Sequence, residues 1–301
     1  MPSTQIHRLR HAVRARPYLG AVCCMLVSTG FFSLMNVCIR SASNDLHTTV
    51  IVCLRNGIAL ILLAPFLYRV GPGIFHTRRI KSHFWRATVG IVGMQTWFYC
   101  VTILPLNNAT ALSFTAPLFT TLFAVIFLKE HASRAHWVAM FAGFIGTLVI
   151  LQPSPHSFDW NALLVMLSTS IWAVAGILVK SLTRTEPPLR IIFYMALFMF
   201  LWAIPPAALH WSMPNAKAWL LLTGIAACST AAHWALVKAY SLVGVAQVMP
   251  YDFCRLLWTA LFAWFFFNEQ SDMTTWLGAA IIVGSVLYIA RRDAKAAPIA
   301  V

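Results

Sequence analysis

The amino-acid sequence predicts an all-α integral membrane protein of ten transmembrane helices arranged as two inverted five-helix repeats. Three observations carry that expectation. Of 301 residues, 60% are apolar and only 10% charged, with a mean hydropathy of +0.75, which leaves too little charged surface to solvate a globule of this size. Apolar runs long enough to cross a bilayer follow one another along the chain, and a segment near the middle recurs 139 residues later. The same excess of hydrophobic residues excludes a disordered chain.

A hydrocarbon core of about 30 Å takes about 20 residues of helix at 1.5 Å per residue. Runs of that order lie at 17–39, 48–68, 85–103, 106–128, 136–152, 160–181, 189–209, 217–240, 245–267 and 273–290. They lack the two-residue alternation of barrel strands, and a lipid-embedded backbone that must satisfy its own hydrogen bonds therefore forms helices here. The first run follows a basic start, but its length and the Arg40 at its end do not suit a signal peptide, so it is expected as a retained helix. Segments 1–16 and 291–301 are expected as cytoplasmic tails, and 17–152 and 160–290 as the two repeats.

Eighteen of the 22 Lys and Arg residues fall in alternate gaps on one side, from Arg8 through Arg69, Arg78, Arg79, Lys81 and Arg86 to Lys295. Arg40 and Lys217 stand opposite, and Arg55 and Arg255 lie within spans. That bias places both termini in the cytoplasm and accounts for the net charge of +14 as a topology signal rather than as a nucleic-acid surface. The seven cysteines (Cys23, Cys24, Cys38, Cys53, Cys100, Cys228, Cys254) show no metal or redox spacing and read as small apolar residues.

The internal repeat is clearest where FTAPLFTTLFAVIFLKE (114–130) meets FCRLLWTALFAWFFFNE (253–269), with 8 of 17 positions identical, among them Glu130 and Glu269. Trp137 and Trp276 also coincide. Five spans are an odd number, so the second repeat enters the membrane from the opposite face. Such halves, related by a two-fold axis in the membrane plane, are characteristic of secondary transporters, with the substrate near the midplane where they meet.

These features resemble the drug/metabolite transporter superfamily in its EamA-type branch. The resemblance rests on the ten-span layout, the glutamates closing spans four and nine (FAVIFLKE, WFFFNE), the Ala-Pro-Leu-Phe at 116–119 and Arg55 early in span two. It implies a bacterial inner-membrane carrier with a central cavity between two five-helix repeats, in a family that moves amino acids, nucleosides, riboflavin, S-adenosylmethionine and other metabolites. The sequence departs from the pattern in span nine, where Leu256 stands opposite Pro117 and a proline sits instead at Pro250.

An ionisable group inside a span costs at least about 2.5–3.5 kcal/mol, so Arg55, Asp252 and Arg255 need a reason. Asp252 and Arg255, three residues apart on span nine, read either as a structural pair or as substrate contacts. Arg55 has no acid in its own span; it either snorkels to the outer interface or meets an anionic substrate group. His233 and Asp252 lie equally far from the turn joining spans eight and nine, which predicts contact and a proton-coupling pair; the competing reading of His233 is a hydrogen-bonded packing residue. Gln95, Trp97, Tyr99, Trp172, Trp234, Gln247 and Tyr251 are further cavity-lining candidates, with Ser113 and Thr115 beside them, although a tryptophan in a bundle also packs or faces lipid. Gly143, Gly146, Gly278 and Gly284 read as helix contacts or dimer packing, so a monomer and a homodimer both fit.

No GxxxxGK[ST] phosphate loop is present, so no ATP and no other cofactor is implied, and the absence of HExxH and GxSxG disfavours an intramembrane enzyme. The expected partners are the lipid bilayer, a small-molecule substrate and protons. One uncompensated arginine with nearby aromatics points to a zwitterion bearing a carboxylate, an amino acid or a derivative such as S-adenosylmethionine. Riboflavin, a nucleoside and drug efflux are the alternatives.

Overall fold

The computed structural model describes the backbone at residues 3–43, 45–103, 106–153, 160–267 and 273–296. Glu269 and the junction between the repeats at 154–159 lie outside the described residues. The helices are α1 (Ser3–Ala42), α2 (Thr48–Val70), α3 (Ile80–Ile103), α4 (Leu106–Ser113), α5 (Ala116–Leu128), α6 (Arg134–Leu151), α7 (Trp160–Thr183), α8 (Pro188–Leu209), α9 (Ala216–Leu242), α10 (Val245–Val248), α11 (Cys254–Phe267) and α12 (Met273–Ala296). No strand occurs among the described residues. Among the described residues, eight helical stretches are long and apolar enough to cross a membrane by length and composition. Helix α3 and the α10–α11 run supply the other two spans.

Local chemistry fixes several of the ends. The His47 ring nitrogen accepts from Thr49 N at the start of α2, and the Asn215 carbonyl oxygen accepts from Ala218 N at 2.8 Å at the start of α9, each satisfying an amide that a helix start leaves without an internal partner. Spans four and nine are each interrupted. Span four breaks at Phe114–Thr115, where Pro117 supplies a residue suited to the first turn of α5. Span nine passes through a 3-10 stretch, Met249–Phe253, with Pro250 in its first turn. Under the 139-residue offset the starts of α4 and α10 coincide and those of α5 and α11 agree to within a residue, although the prolines do not.

The packing itself has two-fold symmetry. The most extensive contacts all join one repeat to the other and exchange under the repeat: α1 on α9 with α7 on α3, α5 on α7 with α11 on α1, and α3 on α8 with α9 on α2. Two contacts, α2 on α8 and α6 on α12, map onto themselves. Near the axis, the equivalent rings of Phe114 and Phe253 stack with centroids 6.2 Å apart.

Where α6 crosses α12 the backbones touch, because a Cβ on Gly278 would lie 2.5 Å from Gly146 O. A Cβ on Gly143 would meet the Phe253 ring at 2.6 Å. Three of the four glycines read as contact or dimer positions thus serve packing within the chain, which lets helices approach where lipid supplies no hydrophobic drive. Gly284 has nothing within 4 Å.

Candidate functional site

Arg55 lies seven residues into α2 and is 7% exposed. Its Nη1 donates to the Met35 sulfur at 3.6 Å, a weak acceptor, and its Nε is buried without a partner. This burial replaces the snorkelling alternative.

A second arginine joins it. Sequence reasoning assigned Arg86 to the cytoplasmic gaps; it lies instead six residues into α3 and is 4% exposed. Its Nη1 reaches the Met199 sulfur at 3.9 Å, and its Nε too has no partner. The side chain runs along α3 over Gly90, one turn deeper, where a Cβ would come within 2.7 Å of Nη1. Glycine at that position gives the guanidinium its path inward.

Neighbouring contacts bring the two arginines together. Two residues beyond Arg55, Gly57 packs against Phe200, the neighbour of Met199 on α8. On α1, Phe32 sets its edge against the His233 ring at 5.0 Å, and Met35, one turn on, holds Arg55. Among the described residues no carboxylate pairs with either arginine. The result is a buried pair of positive charges held among α1, α2, α3, α8 and α9.

His233 donates its Nδ1 proton to Ser229 O at 2.8 Å, the bond of a packing residue. The expected contact with Asp252 is not formed. Counting equal depths from the turn assumed two continuous helices, whereas a 3-10 stretch rises about 2.0 Å per residue and turns faster than an α-helix. Asp252 instead accepts from Arg255 Nη2 at 2.5 Å. The Arg255 guanidinium also lies 5.4 Å from the centre of the Phe114 ring. The only acid within the described spans near the axis is thus engaged three residues along its own chain.

The remaining candidates scatter. Tyr251 is buried, with its hydroxyl 2.8 Å from that of Tyr18, which donates to Asp293 Oδ2 at 2.8 Å. Asp293 meets His136 Nε2 at 3.2 Å, and His136 Nδ1 meets Ser133 Oγ at 2.7 Å. This chain ties α1, α6, α12 and the 3-10 stretch together, so Tyr251 belongs to the framework. Trp172 lies over Gly93, and Trp97 packs on the cluster of Cys100, Leu112, Ala162 and Val165. Trp234 on α9 and Tyr99 on α3 are exposed. Gln95 and Gln247 are half-buried. Thr115 shares a 3.2 Å hydroxyl contact with Thr169 at the break in span four, and Ser113 bonds back to Thr110 O.

Two further residues have partners that sequence reasoning did not supply, Glu130, noted there only as a mark of the repeat, and Asp293. Glu130, at the end of α5, accepts from Ala246 N at 3.1 Å and lies 4.0 Å from Lys180, so it anchors the start of α10. Asp293 was read as part of a tail. Arg86 carried one usable signal, the glycine four residues on.

The profile of the EamA-like transporter family matches the chain twice, at residues 19–152 and 159–291, each match holding five spans. The riboflavin transporter of Vibrio cholerae serotype O1 is 31% identical, over 94% of this chain and 97% of that protein. The S-adenosylmethionine uptake transporter of Rickettsia prowazekii is also 31% identical, over 93% and 95%. A solved crystal structure 15% identical superposes with a TM-score of 0.77 over 91% of this chain and 98% of its own, which speaks to the fold. With ten helices in two symmetric halves and both halves matched, the chain belongs to the EamA-like transporter family.

Proposed function

We propose that this membrane metabolite transporter carries a small solute whose carboxylate binds Arg55, an amino acid or amino-acid derivative such as S-adenosylmethionine, by rocking one repeat against the other around a central site. The observation that carries this reading is the buried Arg55 guanidinium, whose neighbour is a thioether and not an acid. A buried cation without a counterion costs several kcal/mol, and a substrate carboxylate would offset that through paired, charge-assisted hydrogen bonds. The symmetric inter-repeat packing supports the rocking, since the same contacts exist for both halves to exchange. Both relatives named above carry solutes with a planar heterocycle, and one of these solutes, S-adenosylmethionine, bears a carboxylate.

The charge bias further supports a cytoplasmic (inner) membrane location with both termini in the cytoplasm. Reporter fusions active only outside the cytoplasm should be active after residues near 156 and 213 and silent after 78 and 295; the reverse pattern overturns the orientation. For the substrate, the purified protein is screened by thermal shift against amino acids, S-adenosylmethionine, riboflavin and nucleosides, because a ligand of the folded state raises its melting temperature. Stabilisation by carboxylate-bearing solutes, lost in Arg55→Lys, is the expected result. Stabilisation only by riboflavin, uncharged nucleosides or lipophilic cations removes the carboxylate reading.

A further inference from the structure

We propose that Arg86 is a second substrate-binding residue, and that Arg55 and Arg86 together form a site selective for a dianionic group, either a closely spaced dicarboxylate or a phosphate monoester. This rests on the reading of Arg55 as a carboxylate-binding residue and narrows the solutes of that reading to those with two adjacent negative charges, which S-adenosylmethionine, with one carboxylate, does not have. Both side chains are more than nine-tenths buried, both have a buried Nε without a partner, and each places its Nη1 beside a methionine sulfur, Met35 in one case and Met199 in the other. Arginine keeps its charge at any pH a cell experiences, so neither can relieve its burial by giving up a proton.

Among the described residues Asp45 is exposed and the other acids are engaged elsewhere. Asp252 is held by Arg255, Asp293 by Tyr18 and His136, Glu186 by Arg190 and Thr77, and Glu130 by Ala246 N beside Lys180. Two like charges therefore lie in the buried interior, linked through α8, where Met199 meets Arg86 and its neighbour Phe200 meets Gly57 beside Arg55, and through α1, where Met35 meets Arg55 and Phe32 meets His233. A bound monocarboxylate would leave one buried positive charge uncompensated; a dianion leaves none. Gly90 is part of the same arrangement, because any side chain there would push the tip of Arg86 away.

The test is a thermal-shift titration of the purified protein at constant ionic strength, with acetate, malonate and inorganic phosphate as probes and chloride as the control. Malonate or phosphate should give the same stabilisation as acetate at about tenfold lower concentration or less. Malonate alone identifies a dicarboxylate, and phosphate alone or with it a phosphate ester.

In Arg86→Gln the preference should fall to about one while the acetate response persists, and the unliganded protein should melt no lower than wild type, because one of two repelling charges is gone. In Gly90→Ala the preference should fall in the same way with an unchanged unliganded melting temperature, since only the end of a flexible side chain has to move. Equal responses to acetate and malonate in the wild type, or an undiminished preference in Gly90→Ala, overturn the proposal. So does an Arg86→Gln protein that is strongly destabilised, which would make Arg86 structural. If equal responses are abolished by Arg55→Gln, the carboxylate reading survives and only the dianion fails. If no anion acts at all and Arg55→Gln behaves as wild type, both fail.

Discussion

Two regions of this protein bury ionisable side chains, and they treat them differently. At the end that carries the start of α1 and the close of α12, each buried acid and Lys180 has a partner of opposite charge or a hydrogen bond, although His83 Nε2, Glu130 Oε1 and His136 Nε2 are buried without a hydrogen bond. Asp293 receives Tyr18 and faces His136, Glu186 receives Arg190 and Thr77, and Lys180 donates to the carbonyls of Tyr240 and Val243. In the centre, Arg55 and Arg86 face sulfur and hydrocarbon. An answered charge is architecture, because removing it leaves its partner exposed to the low dielectric. An unanswered one burdens the folded state and persists where a ligand supplies the missing half. The comparison predicts opposite outcomes for substitution in the two regions.

The largest effect is expected at the centre. Arg55→Lys keeps a positive charge but loses the planar fork, and Arg55→Ala loses both, so uptake into proteoliposomes should fall at least about 30-fold, the scale for removing one member of a buried charge contact. The melting temperature of the unliganded protein should not fall. Wild-type transport by Arg55→Ala would erase the distinction between the two regions.

The Asp252–Arg255 pair lies between these extremes, near the axis yet internally neutral. Either single change, Asp252→Asn or Arg255→Gln, strands a charge and should lower expression and thermal stability by up to about 3 kcal/mol, less than a fully buried pair because Arg255 is partly open. Exchanging the two (Asp252→Arg with Arg255→Asp) should recover stability. Singles that fold normally and change only substrate affinity would move the pair into the substrate site.

At the terminal end, Asp293→Asn weakens the acceptor shared by Tyr18 and His136. Thermal stability should fall by about 1–3 kcal/mol, the cost of leaving buried donors poorly satisfied, while the transport measured on the folded fraction changes little. Loss of transport at unchanged stability would assign this chain of hydrogen bonds to the transport cycle rather than to the framework.

How much of this was legible in the sequence follows from the kind of signal each residue leaves. The helices and the repeat were readable because hydropathy and identity at a fixed offset are properties of the chain alone. Arg55 stood out as a charge within an apolar run. Arg86 did not, because it follows Arg78, Arg79 and Lys81 and was absorbed into the same basic boundary; only the start of α3 at Ile80 and the glycine at 90 separate it from them. The depth match of His233 with Asp252 failed because a 3-10 stretch changes both rise and phase. The exposure of Trp234 and Tyr99 was not legible, because apolarity around a membrane helix does not distinguish its outer face from the interior. The partners of Glu130 and Asp293 sit 50 or more residues away, beyond any local pattern.

The smallest effect sharpens the comparison at the terminal end, in the loop between α7 and α8. Burial alone would raise the Glu186 carboxyl, but the hydrogen bond from Thr77 at 2.6 Å, the ion pair with Arg190 at 2.6 Å and the nearby His83 outweigh it and hold the group below its ordinary value of 4.5. A carboxylate whose folded value is depressed contributes stability that is fully present above the unfolded value and is lost as pH falls through the folded one. Melting temperature should therefore decline as pH drops below about 4.5, and Glu186→Gln should flatten that part of the curve while lowering the plateau above it. Arg55→Gln, whose site holds no paired carboxylate, should leave the acid limb unchanged. An acid limb that instead followed Arg55→Gln and ignored Glu186→Gln would mean that the paired and unpaired regions had been assigned the wrong way round.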